Sequence, residues 1–169
     1  MRAIAGVALR WYYRDIQVEG LARIPRQRPL LLVVNHPNAL IDALLVIWLV
    51  PRRVFLGGHS YGGRQATMLA AAEAGLAEGL LLLSYPLHPP KQPEKLRTAH
   101  FPNLRTPAFF VHGTRDGFGS VDELTNALKI IPARTELLAI TGAGHELLAK
   151  KIEEELPRTI VATFTKMFR

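Results

Sequence analysis

Apolar residues along this chain fall in short continuous runs, each followed by a stretch of helical period. Leu30 to Val34, Val54 to Leu56, Leu80 to Leu83 and Ala108 to Val111 are bounded by glycine, proline or polar residues. Such runs mark strands buried on both faces of a sheet. The pattern predicts strands over 30–34, 53–57, 80–84, 107–112 and 136–140, with helices near 39–49, 61–72 and 121–131 and a closing helix to about 168. Residues 16–20 alternate like a short strand. Strands alternating with helices imply right-handed crossovers, so the expected fold class is α/β: a mostly parallel sheet of about five strands with flanking helices. Ser120 and Glu123 stand at S-x-x-E spacing, a capping box that fixes the start of the third helix. Residues 85–106, with five prolines, His88, His100 and four basic residues, interrupt the rhythm. That length marks either a substrate-side loop or a solvated excursion.

Composition alters this picture in one respect. The 169 residues and 49% hydrophobic content suit one folded domain, and the net charge of +7 is unevenly spread. Residues 1–53 hold eight arginines against three acidic residues, while the remainder is nearly balanced. Regional excess points to a local anionic surface such as phospholipid and argues against nucleic acid, which calls for basic residues interleaved with aromatics. Ile4, Val7, Ala8 and Trp11 lie at helical spacing with Arg10 and Arg14 on another face, so residues 1–14 read as a basic amphipathic helix, membrane-facing or packed on its own domain. The start lacks a long apolar core and a small-residue cleavage site, and the apolar stretch from Leu30 is broken by Asn35, His36, Pro37, Asn38 and Asp42. Neither a secretory signal nor a bilayer-spanning helix is expected, which favours a cytoplasmic location, peripheral at most to the inner face of a membrane. With no cysteine, thiolate nucleophiles, disulfides and cysteine-based metal sites are excluded, and no metal or cofactor is expected.

The chemistry concentrates after the second strand. Gly58-His59-Ser60-Tyr61-Gly62 fits G-x-S-x-G, and it gains specificity from lying between an apolar strand and an alanine-rich helix. Glycines at 58 and 62 would permit the sharp turn that presents Ser60 Oγ at the carboxyl edge of the sheet. A serine nucleophile needs a histidine to take its proton and a carboxylate to orient that histidine. Of the four aspartates, Asp15 and Asp42 precede the serine and Asp122 lies in the first turn of a capped helix. Asp116 follows a strand in H-G-T-R-D-G, and His145 follows the last strand in T-G-A-G-H-E. Both are at carboxyl ends, where an α/β sheet places its working residues. Each taken alone also reads as a turn or loop residue; His59 reads as a wall of the pocket with its ring turned away from Ser60.

From about residue 54 onward the chain resembles small α/β hydrolases of the dienelactone-hydrolase type, on G-G-H-S-Y-G-G-R, L-L-L-S-Y-P-L-H-P-P, P-A-F-F-V-H-G-T-R-D-G-F-G and G-A-G-H-E-L. The resemblance implies Ser60 as nucleophile, Asp116 as orienting residue, His145 as base and the Tyr61 backbone N–H as oxyanion donor. The glycine-rich H-G loop that gives such hydrolases a second donor, and the strands before the elbow, have no counterpart here. A truncated hydrolase of impaired activity is therefore expected.

Residues 1–53 read differently. An arginine-rich start, Val18-Glu19-Gly20-Leu21 with Ile24-Pro25, and His36 with Asp42 between a strand and a helix resemble the opening of glycerolipid acyltransferases. There, His36 and Asp42 would form a base–orienter pair for an acceptor hydroxyl. The domain expectation is thus an acyltransferase-like segment 1–53 joined to a hydrolase-like part 54–169 in one chimeric fold, with strand 30–34 beside strand 53–57. Three functions remain open: a serine hydrolase on a small ester or thioester, a membrane-peripheral acyltransferase, and a non-catalytic remnant or binding module.

Overall fold

The computed structural model describes residues 55–147 and 155–168, with residues 9, 11, 13–17 and 19 near the amino end. The chain divides into two compact units, Met1–Arg52 and Arg53–Arg169. In the first, the Tyr13 amide donates to the Leu9 carbonyl at 2.8 Å, one helical turn within the expected amphipathic segment, and Trp11 is 94% exposed. The strands expected at 16–20 and 30–34, the helix at 39–49 and the pair His36 and Asp42 lie outside the described residues or only partly within them.

The second unit carries a four-stranded sheet: β1 (Phe55–His59), β2 (Gly79–Leu83), β3 (Ala108–Gly113) and β4 (Thr135–Ile140). All neighbours pair in parallel and in sequence order. Between them run α1 (Tyr61–Ala72) and α2 (Val121–Leu128), and α3 (Leu156–Met167) closes the chain. The mostly parallel α/β architecture matches the sequence expectation. Four strands stand among the described residues where about five were expected, since the fifth falls on 30–34.

Alternation explains the layering. Leu80, Leu82, Ala108 and Phe110 face one core with Ala66 and Ala70 of α1 and Leu124 and Leu128 of α2. Their neighbours Leu81, Leu83, Phe109 and Val111 face a second core with Ile160, Phe164 and Met167 of α3. Successive strand residues point to opposite faces, so a continuous apolar run fills both cores at once. Consecutive parallel strands joined by right-handed crossovers put α1 and α2 on the same face. Every residue of β3 is buried, whereas β1 alternates between exposed and half-buried. β1 also runs two residues further than expected, to His59. Gly58 looks like a turn residue in the sequence but pairs with Leu82 in the ladder.

The long 85–106 segment is not a solvated excursion. Tyr85, Leu87, Phe101 and Leu104 are fully buried in the first core. The Tyr85 hydroxyl donates to the Arg97 carbonyl at 2.7 Å, and a 3-10 turn spans Phe101–Asn103. Among the described residues no helix is long and apolar enough to cross a membrane.

α2 starts as its sequence requires. The Glu123 amide donates to Ser120 Oγ at 3.2 Å, and the Ser120 amide donates to the Glu123 carboxylate at 2.8 Å. That backbone donor, then the Ser120 hydroxyl, hold the Glu123 carboxyl below its ordinary value. A depressed carboxyl stabilises the fold above its unfolded value, and the contribution is lost as pH falls through the folded value. Ser120→Ala should lower unfolding free energy by about 1 kcal/mol at neutral pH. The deficit should narrow in acid, as read by urea unfolding at several pH values.

Candidate active site

The turn from β1 into α1 sets the first side chain. The Ser60 amide continues the ladder by donating to the Leu83 carbonyl at 2.8 Å, and the Ser60 carbonyl accepts the Arg64 amide at 3.1 Å. Between these bonds Ser60 adopts φ 52° and ψ −117°. A positive φ is strained for a residue with a Cβ, and here ordered structure on both sides holds it in place. The strand and helix meet closely here. A Cβ on Gly63 would lie 2.8 Å from the Gly58 carbonyl oxygen, and one on Gly58 would lie 2.7 Å from the backbone of Gly62. The sequence reading gave the steric role to Gly58 and Gly62. At Gly62 an added Cβ meets nothing within 4 Å among the described residues, so the close approach falls on Gly58 and Gly63.

Two loops bring the partners of Ser60. The loop after β3 returns at once, with the Asp116 amide donating to the Gly113 carbonyl at 3.1 Å. The loop after β4 is stitched to it. Thr114 and Arg115 amides donate to the Ile140 and Ala143 carbonyls, and the Gly142 amide donates to Thr114 Oγ1 at 2.9 Å. This registration sets His145 against Asp116, with Nδ1 2.8 Å from Oδ2 and 3.0 Å from Oδ1. His145 Nε2 lies 2.8 Å from Ser60 Oγ. A proton on Nδ1, facing the carboxylate, leaves the Nε2 lone pair to accept from the serine hydroxyl. The three residues proposed from the sequence thus form one continuous hydrogen-bonded chain.

The surroundings favour this arrangement. The Asp116 side chain is wholly buried while that of His145 is 19% exposed, so the chain runs from the interior to solvent. Asp116 Oδ1 accepts the Phe118 amide at 2.8 Å. The Phe118 ring lies over the His145 ring at 4.2 Å between centroids. Tyr61, with an exposed side chain, supplies the first amide of α1 beside Ser60. Amides of the first helical turn have no intrahelical acceptor and carry the positive end of the helix dipole.

Three contributors escaped the sequence reading. His59 donates from Nε2 to the His145 carbonyl at 2.8 Å, with the two rings 5.1 Å apart, so it braces the loop that carries His145 rather than merely lining a pocket. Buried His112 donates from Nε2 to the Gly119 carbonyl at 2.8 Å, and its Nδ1 stands 3.8 Å from Asp116 Oδ2. Phe118 was visible only as one letter of D-G-F-G. No spacing rule announces a ring stacked across two loops.

Comparison with known proteins extends beyond this unit. A family model described as an alpha/beta hydrolase domain matches residues 2–167. The match includes residues assigned from the sequence to an acyltransferase-like head, and nothing found supports a distinct segment of that kind. Among solved structures, Est1E from Butyrivibrio proteoclasticus is 16% identical with a TM-score of 0.56, covering 68% of this chain and 61% of its own. It is also known with ferulic acid bound. An alpha-beta serine hydrolase homologue from Coxiella burnetii is 15% identical with a TM-score of 0.57, covering 77% of this chain and 62% of its own. A monoacylglycerol lipase from Paleococcus ferrophilus is 15% identical with a TM-score of 0.59, covering 70% of each chain. At these identities the likeness is one of fold, and the chain spans about three-fifths of the length of Est1E.

The close approach of strand and helix separates two neighbouring glycines experimentally. Gly63→Ala should destabilise by about 1–3 kcal/mol, because backbone must move to admit the methyl. Gly62→Ala should stay within about 0.5 kcal/mol of the parent. Urea midpoints of the two variants measure the difference, and equal midpoints would contradict the packing described.

Proposed function

The chain belongs to the alpha/beta hydrolase domain family, and from that premise we propose that it is a serine hydrolase of the carboxylesterase type, acting on a small ester or thioester. Ser60 is the nucleophile, His145 the general base and Asp116 the residue that orients it. The observation that carries this reading is the unbroken chain Ser60 Oγ, His145 Nε2, His145 Nδ1, Asp116 Oδ2, with 2.8 Å at both contacts. Serine, histidine and aspartate at the ends of successive parallel strands support it further, as does their order along the chain.

The proposed reaction uses this geometry. As Ser60 Oγ forms its bond to the substrate carbonyl carbon, the hydroxyl proton passes to His145 Nε2. The carbonyl oxygen gains the negative charge and is received by the Tyr61 amide at the start of α1, where the helix dipole favours it. Asp116 keeps Nδ1 protonated and stabilises the imidazolium. Collapse of the tetrahedral species expels the alcohol or thiol, which takes the proton from Nε2 and leaves an acyl group on Ser60. Water then repeats the sequence, with His145 as its base, and releases the acid. A fold relative that holds ferulic acid supports a small acyl substrate.

A fluorophosphonate probe should label the protein at Ser60 and leave Ser60→Ala unlabelled; labelling of both proteins alike would refute the assignment. Hydrolysis of a 4-nitrophenyl ester should fall by about four orders of magnitude in Asp116→Asn, because the amide favours the wrong imidazole tautomer. His145→Ala should lose at least as much. Circular dichroism of each variant separates lost chemistry from lost fold.

A further inference from the structure

Near the end of β3 stands a histidine that the proposed reaction does not use. His112 is fully buried, pairs with Ala139 in the ladder, and reaches with its ring across the loop that carries Asp116. Its Nε2 donates to the Gly119 carbonyl at 2.8 Å, seven residues on. Its Nδ1 stands 3.8 Å from Asp116 Oδ2, beyond hydrogen-bond distance, and has no partner. Both side chains are wholly buried. Because a carbonyl only accepts, Nε2 carries a proton; a second proton on Nδ1 would leave an unbonded, charged N–H in the interior, which is costly. The ring is therefore the neutral Nε2–H tautomer, with a lone pair turned toward the carboxylate.

Two consequences meet at Asp116. The first is mechanical. The loop after β3 is anchored to its neighbours by backbone: the His88 amide donates to the Phe118 carbonyl at 3.0 Å, and the Thr114 and Arg115 amides donate to the Ile140 and Ala143 carbonyls. His112 holds the same loop from within the core. Gly119 is buried, so its carbonyl deprived of the imidazole would be an unsatisfied acceptor in the interior. The second consequence is electrostatic. Asp116 accepts the Phe118 amide on Oδ1 and the His145 imidazole on both oxygens. A further donor would draw on the same negative charge, and His112 offers a lone pair instead. The carboxylate is thereby left to the Nδ1 proton of His145.

We propose that His112 is a positioning residue of the same active site, pinning the loop of Asp116 through its Nε2 proton and presenting a bare Nδ1 that leaves the carboxylate to His145. Its effect on rate rests on the serine hydrolase reading; its effect on the His145 proton does not.

Glutamine and asparagine separate the two nitrogens, because a glutamine amide nitrogen can stand where Nε2 does and an asparagine amide nitrogen where Nδ1 does. His112→Gln keeps the bond to Gly119, whereas His112→Asn loses it and turns an N–H toward Oδ2. On the full chain, NMR spectra of isotope-labelled histidine should show His112 as the Nε2–H tautomer. The His145 Nδ1 proton, far downfield while bonded to Asp116, should keep its shift in His112→Gln and move upfield in His112→Asn. With 4-nitrophenyl butyrate, kcat should fall about tenfold or more in His112→Asn at unchanged KM, and should stay within about threefold of the parent in His112→Gln. A merely structural role would slow both variants alike and leave the His145 proton in place. Rates are compared where circular dichroism shows each variant folded; if His112→Asn does not fold, the parent tautomer and His112→Gln decide. A proton on His112 Nδ1, a His145 proton unmoved in folded His112→Asn, or a tenfold loss of kcat in His112→Gln overturns the proposal. Absence of turnover by the parent counts against the nucleophile instead, and the spectra then decide the role of His112 by themselves.

Discussion

A carboxylate with no solvent contact stands at the centre of this site, and the loops around it are built to make it tolerable. An ionised group in the interior is stable only when hydrogen-bonded and paired. Asp116 meets that condition with the Phe118 amide on one oxygen and the His145 imidazole across both. Because the imidazole satisfies the carboxylate, His145 is held in position and tautomer before any substrate arrives. The same contact that stabilises the folded loop therefore fixes which imidazole nitrogen faces Ser60. Removing the carboxylate would free the ring, and removing the ring would leave a buried charge half satisfied.

The sheet makes that contact possible. Four parallel strands in sequence order bring their carboxyl ends to one edge, so the loops after β1, β3 and β4 converge without long excursions. Adjacent strand ends still need registration. It comes from backbone: a Cβ on Gly113 would lie 2.4 Å from the Ala143 carbonyl oxygen, so the loop carrying His145 rests directly on the end of β3. Side-chain roles are thus set by main-chain hydrogen bonds between two loops, and His59 adds a third anchor from β1.

Much of this was legible in the amino-acid sequence because it depends on local chemistry. The α1 span of 61–72, the capping box of α2 and the alternating occupancy of two cores follow from propensity, caps and period. The meeting of Ser60, Asp116 and His145 was legible because strand ends converge in any parallel sheet. Less local features were not. Gly58 reads as turn because glycine carries no pattern, yet its backbone pairs with Leu82 in the ladder. The 85–106 segment has the composition of a surface loop, and only the fold shows Tyr85, Leu87, Phe101 and Leu104 completing the first core. In the amino-terminal third, the resemblance to an acyltransferase-like segment rests on motifs of four to eight residues. A match running from residue 2 to residue 167 outweighs them.

The two helices that follow β1 and β3 show what the site costs locally. α2 carries every device that steadies a helix start: a serine cap, a reciprocal glutamate and two acidic residues in its first turn. α1 carries none of them. Its cap residue, Ser60, makes no capping bond, and its first turn holds no acid and includes Arg64. A missing cap forgoes about 1 kcal/mol, and acidic residues near the amides would stabilise the helix further. In the proposed reaction they would also oppose negative charge developing beside Ser60. α1 instead leaves its serine hydroxyl to His145 and its positive end uncompensated, and it regains stability through Ala66, Thr67 and Ala70 buried against the sheet. In the proposed reaction, helix stability and oxyanion stabilisation compete for the same few amides, and α1 leaves them to the anion.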